Sequence, residues 1–487
     1  MLQKSKELFE AWNCSSLIYS HWKGNDHLME GLDGETDLDV LISPSDHDKG
    51  YSLLQEIGFK HFQSQYGSRY PNVEDWLGFD SETGKMLHLH LHYALMTGHT
   101  GLKEYELPWG REALETRIQD EESGVYIMNP NLELVSLYTR LILKSKWKWV
   151  RAARKGSYQL EKHFEKEITY IKQRVDWDVV SEIAIRYYGN SGLEFSEIVS
   201  SPVLTSEKYL RLYSIVLKSM NKYCRFHGVS HIVRRAFMGV IVPLRSIVRK
   251  KYNWQLITHK VANPSHGLMI AFIGQDGSGK STVTADIKKW LTWKIEAQRF
   301  YLGSGEHFNP IEKRVGNKLA KKEGRIWRPI RNVLSFRLIK KIADNAYSNI
   351  RRASKYVHKG GVALFDRFPQ TEFANINDGP KIRSSVMPKV SSKIGKWLVG
   401  IYASKEEAKL KKAVAYQPDI VFKLTLSPEE SIRRKPQENY ESVKRKHEII
   451  KQLAFPGSSV YNVDATMEYE QELRIIKRII WKHIQEL

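Results

Sequence analysis

The chain has 487 residues, more than one ordinary hydrophobic core supports, so we expect two or three domains. Its hydrophobic content of 41% and charged content of 27% are those of a folded protein, and no stretch approaches the ~20 apolar residues that cross a bilayer. The two cysteines, Cys14 and Cys224, provide neither a disulfide framework nor a metal-binding spacing, and the first residues lack the pattern of a secretion signal. We therefore expect a cytoplasmic protein.

The net charge of +21 is distributed unevenly along the chain. The first 100 residues carry seven Lys and Arg against fifteen Asp and Glu, so the rest of the chain is strongly basic. An acidic segment suits divalent cations, whereas a basic one suits phosphates, nucleic acid or an anionic membrane, or serves solubility alone.

Residues 15–100 alternate short apolar runs with polar turns, which predicts a small α/β unit. In its TDLDVLIS segment, Asp37 and Asp39 are two residues apart on a predicted strand, so both side chains face the same side. Such a pair can hold Mg²⁺ ions that align the phosphates of a nucleotide, although D-x-D is also common at solvated strand ends.

The segment around this pair, YSHWKGNDHLMEGLDGETDLDVLIS (19–43), resembles the nucleotidyltransferase superfamily. Lys23 and Gly24 match the Lys-Gly that some bacterial members carry before their first helix. The resemblance spans about residues 15–95 and implies a nucleotide-binding domain, placed at 1–125. It also implies that Mg²⁺ is held by the aspartate pair and by a third acidic residue on a later strand.

The third metal position falls on a predicted strand, LHLHLHYAL, whose histidines His88, His90 and His92 alternate onto one face. His90 stands where the resemblance implies a carboxylate, and imidazole suits Mn²⁺ or Zn²⁺ better than Mg²⁺. Three interpretations of this domain stay open: an active nucleotidyltransferase, a degenerate nucleotide-binding domain, or a structural module. The three histidines would also suit zinc, although the sequence shows no fourth ligand.

Residues 126–262 predict a helical bridging region, because apolar residues recur there at spacings of three and four. Its last part, 234–251, has six basic residues and no acidic one around a short apolar run, which could rest on anionic lipid. Trp147, Trp149 and Arg151 could stack on nucleic acid, although aromatic residues at helical spacing usually belong to a core.

Residues 263–487 open with a turn, NPSHG, and then alternate apolar strand segments with amphipathic helices, which predicts a doubly wound parallel sheet. Between the first strand and the first helix lies GQDGSGKS, which fits the phosphate-loop pattern G-x-x-x-x-G-K-[ST]. The loop's N–H groups and the helix N-terminus suit nucleotide phosphates, Lys280 suits the β- and γ-phosphates, and Ser281 suits Mg²⁺. The expected ATP-binding residues are Gly274, Asp276, Gly277, Ser278, Gly279, Lys280, Ser281 and Thr282.

Two later segments carry further candidates. Asp366 and Arg367 follow a predicted strand in GGVALFDRFPQ, where the acid could hold Mg²⁺ and the arginine could grip a second phosphate, unless they are an ordinary surface pair. Arg433 and Arg434 begin a run of cations that could close over the transferring phosphoryl group, or could be a solvated helix face.

FIGQDGSGKST, FDRFP, PDIVFKLTLSPEESIRR and the later VDAT resemble, in this order, the motifs of the thymidylate kinase family. The resemblance implies a P-loop kinase fold with ATP and Mg²⁺, and it places Asp276 at the family's acidic position in the loop. It also implies that Asp366 and Arg367 serve Mg²⁺ and the acceptor's phosphate. Arg433 and Arg434 would then belong to the lid that closes on ATP.

The resemblance covers about residues 265–487 and makes a nucleoside monophosphate, with thymidylate first, the expected acceptor. Departures leave another phosphorylated or hydroxylated acceptor open. Among them, YLGSGEHFNP stands where the family has an arginine-containing turn, a basic insertion occupies 311–358, and NDGP replaces the usual base-recognition helix.

Three interpretations of the whole chain follow. Our main prediction is a nucleotide kinase joined through helices to a nucleotidyltransferase-like domain, acting on a small-molecule acceptor. The second is a kinase whose N-terminal module is regulatory, and the third is a nucleotide-gated protein that binds nucleic acid or a membrane through its basic surface. The sequence indicates no oligomeric state, and a dimer is compatible with it.

Overall fold

The chain is an α/β protein with two compact units, Met1–Thr258 and His259–Leu487, each with its own main sheet. The predicted boundary after residue 125 falls inside the first unit, and the division of that unit into two domains stays a prediction. The computed structural model describes residues 1–64, 69–252, 259–302, 327–376 and 378–487.

The first unit is built on a mixed sheet. Its described strands are β1 (Tyr19–His21), β2 (Asp37–Ile42), β3 (Lys60–Phe62), β4 (Val73–Phe79), β5 (Met86–His92), β6 (Leu95–Thr97), β7 (Tyr105–Leu107), β8 (Ile118–Gln119) and β9 (Tyr126–Ile127). Seven of them form one sheet in the order β3-β4-β5-β2-β1-β9-β8, and β6 pairs with β7. Strand β2 runs parallel to β5, and β4 runs antiparallel to β5, so three chain segments meet on neighbouring strands.

The predicted helical region is confirmed from Pro130 onward. The described helices of the first unit are α1 (Gln3–Cys14), α2 (Leu28–Leu32), α3 (His47–Glu56), α4 (Gly110–Glu115), α5 (Pro130–Leu143), α6 (Trp147–Arg154), α7 (Lys162–Lys172), α8 (Trp177–Tyr188), α9 (Gly192–Ser200), α10 (Ser206–Met220) and α11 (Gly228–Tyr252). Helix α5 begins at a proline after the Asn129 cap, and its residues from Leu132 to Leu143 are buried. It is therefore the central helix, against which α7, α8 and α10 pack.

The second unit has the predicted parallel sheet. Its described strands are β10 (Met269–Gly274), β11 (Ala297–Tyr301), β12 (Val362–Asp366), β13 (Ile420–Thr425) and β14 (Ser459–Asp464), in the order β11-β12-β10-β13-β14. Its described helices are α12 (Lys280–Leu291), α13 (Trp327–Val357), α14 (Lys393–Val414), α15 (Pro428–Arg434), α16 (Tyr440–Gln452) and α17 (Tyr469–Glu486). Strands β10 and β12 are buried along their whole length, because helices cover the sheet.

The structure bears on three expectations from the sequence, which concern the basic insertion, the tryptophans of α6 and membrane-spanning helices. The first part of the basic insertion, 311–326, lies outside the described residues, and the insertion is helical from Trp327 as α13. On α6, Trp147 is 68% exposed, whereas Trp149 packs against the core of the first unit. Within the described part of the chain, no helix is both long enough and apolar enough to cross a membrane.

Candidate functional site

The phosphate loop connects the buried central strand β10 to helix α12. Gly277 and Gly279 have φ of 88° and 81°, in the left-handed region that other residues rarely adopt. Gly274 is required for a different reason, because an added Cβ would lie 2.5 Å from Ser278 Oγ and 2.6 Å from the Leu424 carbonyl oxygen. The glycines therefore allow a compact turn that packs against β13 before α12 begins.

Lys280, the first residue of α12, turns back over the loop. Its Nζ lies 2.6 Å from the Gln275 carbonyl oxygen and 3.5 Å from Ser278 Oγ. The side chain is buried, and this burial lowers the pKa of Lys280 to about 8. A phosphate in the loop would supply the negative partner that a buried ammonium needs.

Asp366, at the carboxyl end of β12, is the centre of the site. Its Oδ2 accepts a hydrogen bond from Ser281 Oγ at 2.6 Å and another from Arg299 Nη2 at 2.7 Å. The side chain is buried, and among the described residues its Oδ1 has no hydrogen-bond partner. The structure therefore brings the two predicted Mg²⁺ ligands of this unit into contact.

These atoms fit the ion that the resemblance implies. Mg²⁺ prefers oxygen ligands and is usually held by one or two carboxylates together with substrate phosphates. The Ser281 hydroxyl and the Asp366 carboxylate are such ligands, and the buried, unpartnered Oδ1 of Asp366 is an atom that a cation would satisfy.

Asp276 and Arg367 lie on another side of the loop. The Asp276 carboxylate is 2.6 Å from Lys446 Nζ and 3.5 Å from Arg367 Nη2. Burial works against its ionisation, but the hydrogen bond and charge of Lys446 outweigh burial and lower the pKa of Asp276. Arg367 has φ of 81°, and its N–H donates to the Phe272 carbonyl oxygen at 3.0 Å. Strained backbone of this kind is concentrated at functional sites.

The two predicted lid arginines have different surroundings. Arg434 Nη2 donates to the Ala465 carbonyl oxygen at 2.9 Å, and its Nη1 lies 3.5 Å from the Gly277 carbonyl oxygen. Both arginines also pair with Glu430 of their own helix, and the side chain of Arg433 is 78% exposed. Of the two, Arg434 is the one that reaches the loop in the described structure.

A small cavity lies beside the carboxyl ends of β11 and β12. Apolar side chains of α13 and α14 line it, together with Asp378, Lys381 and Glu406. Asp378 Oδ2 is buried without a partner among the described residues, and burial raises the pKa of Asp378 although Arg367 and Lys280 act in the opposite direction. The cavity volume is about 20 Å³, which holds a single water molecule.

The predicted metal residues of the first unit also come together. Asp37 and Asp39 of β2 lie in register with the histidines of β5. His90 Nδ1 is 3.2 Å from Asp39 Oδ1, and Lys23 Nζ is 2.8 Å from the same oxygen. Burial opposes ionisation, but Lys23 and the hydrogen bonds from His90 and His92 hold the pKa of Asp39 well below its usual range.

Two further lysines belong to the surroundings of this cluster. Burial lowers the pKa of Lys103 to about 7, and the positive charge of Lys23 adds to that effect. Burial also lowers the pKa of Lys144 far below its usual value, and Lys23 and Lys103 are among the like charges near it. An anion such as a phosphate near these two partly buried lysines would favour their charged forms.

Asp75, Arg299 and Asp378 are not predicted as site residues from the sequence. Arg299 carries a usable signal, because a charged residue in a strand of a covered sheet needs a partner. The sequence around Asp75 gives no such signal. Its partners His88 and His90 lie on β5, and they are close to Asp75 only because β4 and β5 are neighbouring strands.

No family model matches the chain. The uncharacterized ATP-binding protein YghR of Escherichia coli K12 is 26% identical over 231 residues, which are 44% of this chain and 86% of YghR. YghS, another uncharacterized ATP-binding protein of that strain, is 23% identical over 233 residues, 45% of this chain and 95% of YghS.

Two solved structures of a deoxyadenosine kinase from M. mycoides are also similar to part of the chain. The complex with dCMP and a flexible dCDP has a TM-score of 0.29 and 19% identity over 43% of this chain and 97% of the kinase. The complex with dATP has a TM-score of 0.28 and 17% identity over 43% and 98%.

Proposed function

We propose that the C-terminal unit is an ATP- and Mg²⁺-dependent phosphotransferase. The observation that carries this proposal is the 2.6 Å hydrogen bond between Ser281 Oγ and Asp366 Oδ2 beside a phosphate loop. A loop serine next to a strand-end acid is the oxygen pair that holds Mg²⁺ on a bound nucleotide in phosphate-loop proteins. The description of YghR and YghS as ATP-binding proteins supports ATP as that nucleotide.

In this proposal each residue of the site has a defined task. The loop N–H groups and the N-terminus of α12 bind the phosphates. When the nucleotide binds, the Lys280 ammonium leaves the Gln275 carbonyl oxygen and contacts the β- and γ-phosphates instead. Arg434 closes over the transferring group and helps to exclude water. Mg²⁺ held by Ser281 and Asp366 would neutralise charge on the phosphates.

We further propose a nucleoside monophosphate as the acceptor, with thymidylate first because of the family resemblance. Arg367 supports a phosphorylated acceptor, since its side chain is 40% exposed and lies beside the loop aspartate Asp276. The neighbouring cavity would take the rest of the acceptor. At about 20 Å³ it is smaller than a nucleoside, so on binding either the cavity opens or the acceptor extends out of it.

A second candidate is an acceptor that offers a hydroxyl group, such as a nucleoside. It is favoured by Asp378, whose buried Oδ2 has no partner among the described residues and whose carboxyl is within electrostatic reach of Lys280 and Asp366. A carboxylate in this position can accept the proton of an attacking hydroxyl, whereas it repels an acceptor phosphate.

A panel of acceptors tests the function and separates the two candidates. The full-length chain is incubated with γ-labelled ATP, Mg²⁺ and either nucleosides or the matching monophosphates. A monophosphate kinase labels the monophosphates and keeps much of its activity in Asp378→Asn. A hydroxyl kinase labels the nucleosides, and Asp378→Asn lowers its rate by about 10²- to 10⁴-fold.

The exposed carboxylate Glu372, six residues earlier in the chain, provides the matched control Glu372→Gln, which should transfer label like the wild type. Label on neither class of acceptor, in protein that binds ATP, would contradict the kinase proposal. The other interpretations stay predictions with outcomes in the same assay. With α-labelled ATP in place of the γ-labelled form, transfer of the α-label would support a nucleotidyltransferase. No transfer, together with salt-sensitive retention on nucleic acid, would support the nucleotide-gated binding protein.

A further inference from the structure

Metal-binding side chains gather on one face of the first unit's sheet, in a different unit from the phosphate loop. They come from the adjacent strands β4, β5 and β2, and they are Asp37, Asp39, Asp75, His88, His90 and His92. In the strand register, Asp37 is opposite His88, and His90 is opposite both Asp39 and Asp75. The alternation of side chains along each strand then directs all six to the same face.

Each ring nitrogen of His88 and His90 meets a carboxylate oxygen. His88 Nδ1 lies 2.7 Å from Asp37 Oδ1, and its Nε2 lies 3.1 Å from Asp75 Oδ1. His90 Nδ1 lies 3.2 Å from Asp39 Oδ1, and its Nε2 lies 3.1 Å from Asp75 Oδ1. Asp75 therefore connects the two rings through a single oxygen.

These contacts cannot all be hydrogen bonds between neutral rings and carboxylates. A neutral imidazole has one N–H and one lone pair, and a carboxylate offers only acceptors. With both nitrogens of His88 facing carboxylates, a neutral ring directs its lone pair at an oxygen. Either the rings take up further protons or a cation lies between nitrogen and oxygen.

We propose that this cluster binds one divalent transition-metal ion of the Zn²⁺ or Mn²⁺ class, rather than the Mg²⁺ that the nucleotidyltransferase resemblance implies. Mg²⁺ requires oxygen ligands in near-octahedral geometry, whereas imidazole with carboxylate suits Zn²⁺ and Mn²⁺. The donor set here is about equally nitrogen and oxygen, so it does not fit Mg²⁺.

Three side chains can serve as ligands of one ion. The candidate ligand atoms of Asp37, His88 and His90 lie within 4.8 Å of one another. Asp75 faces the other ring nitrogen of His88 from Asp37 and one ring nitrogen of His90, so we assign it to orienting the two rings. Asp39 is already paired with Lys23 at 2.8 Å, so we assign it to holding His90 rather than to the ion.

The site is reachable from solvent. The side chains of Asp37 and His90 are 29% and 26% exposed, whereas that of His88 is fully buried. A cavity of about 370 Å³ adjoins Asp75 and is also lined by Glu74 and Tyr93. With three ligands from the protein, an ion held from the buried side keeps an open position, as in metal sites that also bind a substrate or water.

The test measures bound metal on untagged, full-length protein stripped with a chelator. ZnCl₂, MnCl₂ or MgCl₂ is added alone, without nucleotide, and the bound ion is counted after equilibrium dialysis. We expect one Zn²⁺ or Mn²⁺ per chain, retained in a large excess of Mg²⁺. A folded chain that retains neither ion, or that loses it to an equal concentration of Mg²⁺, would overturn the proposal.

Variants then locate the ion. Asp37→Asn and His90→Gln should weaken binding by at least about 10- to 100-fold. His163→Ala, whose side chain is 64% exposed in the same unit, should bind like the wild type. Melting curves of the metal-free variants separate loss of a ligand from loss of fold. Wild-type affinity in a folded His90→Gln chain would overturn the assignment.

Discussion

Asp366 shows how the site depends on partners that are distant in sequence. Its position after an apolar strand and before Arg367 is enough to predict an acid near the phosphates. Its partner Arg299 is not predicted, because the contact arises from the pairing of β11 with β12, in which Tyr301 is opposite Asp366. The choice of neighbouring strand is a property of the whole sheet rather than of either segment.

Removing Arg299 should therefore destabilise the C-terminal unit. Arg299→Met leaves the buried Asp366 carboxylate without its cation. We expect the free energy of unfolding to fall by roughly 2 kcal/mol, less than for a fully buried pair, because Arg299 is 26% exposed and solvent screens the contact. Urea unfolding followed by hydrogen exchange in peptides from β10 and β12 measures this change.

Arg433→Met is the matched control for Arg299→Met. Arg433 is 78% exposed and pairs with Glu430 of its own helix, so its loss should leave the free energy of unfolding close to that of the wild type. Equal losses in the two variants would mean that the Arg299–Asp366 contact does not stabilise the fold.

At the scale of elements, hydrophobic periodicity predicts most of the structure. The apolar runs that become β10, β12, β13 and β14 and the amphipathic helix α17 are confirmed. Helix α14 is not predicted, although its buried residues Val399, Ala403, Glu406 and Leu410 follow a helical spacing. One of those four is a glutamate, which weakens the apolar pattern that the sequence displays.

A second buried glutamate makes helix α5 sensitive to pH. Burial raises the pKa of Glu133 to about 8 from an ordinary value of 4.5, although the hydrogen bond from Asn25 Nδ2 at 2.8 Å acts in the opposite direction. Because the folded pKa is the higher one, the stabilisation is complete below pH 4.5 and is lost as the pH rises toward 8. The first unit should therefore weaken over this range.

Glu133→Gln should remove that pH dependence. At pH 8 the variant should be more stable than the wild type by roughly 2–4 kcal/mol, and near pH 4.5 the two should be similar. Thermal or urea unfolding of the first unit between these pH values measures the difference. Glu165→Gln, an exposed change on α7, should follow the wild type, and a pH profile of Glu133→Gln parallel to that of the wild type would show that Glu133 does not cause the pH dependence.

For the molecule as a whole, the sequence predicts which ligands each site would bind better than it predicts every residue that forms the site. The phosphate loop is a contiguous motif, so its residues and their arrangement follow from local sequence. The histidine and aspartate cluster is assembled from three strands, and Asp75 joins it only through the order β4-β5-β2. Contacts of that kind depend on topology, which single-sequence patterns do not determine.

The proposed reaction at the phosphate loop is transfer of the γ-phosphate of ATP. The most direct measurement follows γ-labelled ATP with Mg²⁺ and the best acceptor, comparing the wild type with Lys280→Met. We predict label on the acceptor in the wild type and a rate lower by on the order of 10²-fold or more in the variant, whose melting temperature is not lowered. Wild-type transfer by Lys280→Met would contradict this proposal, because the chemistry would then lie outside the loop.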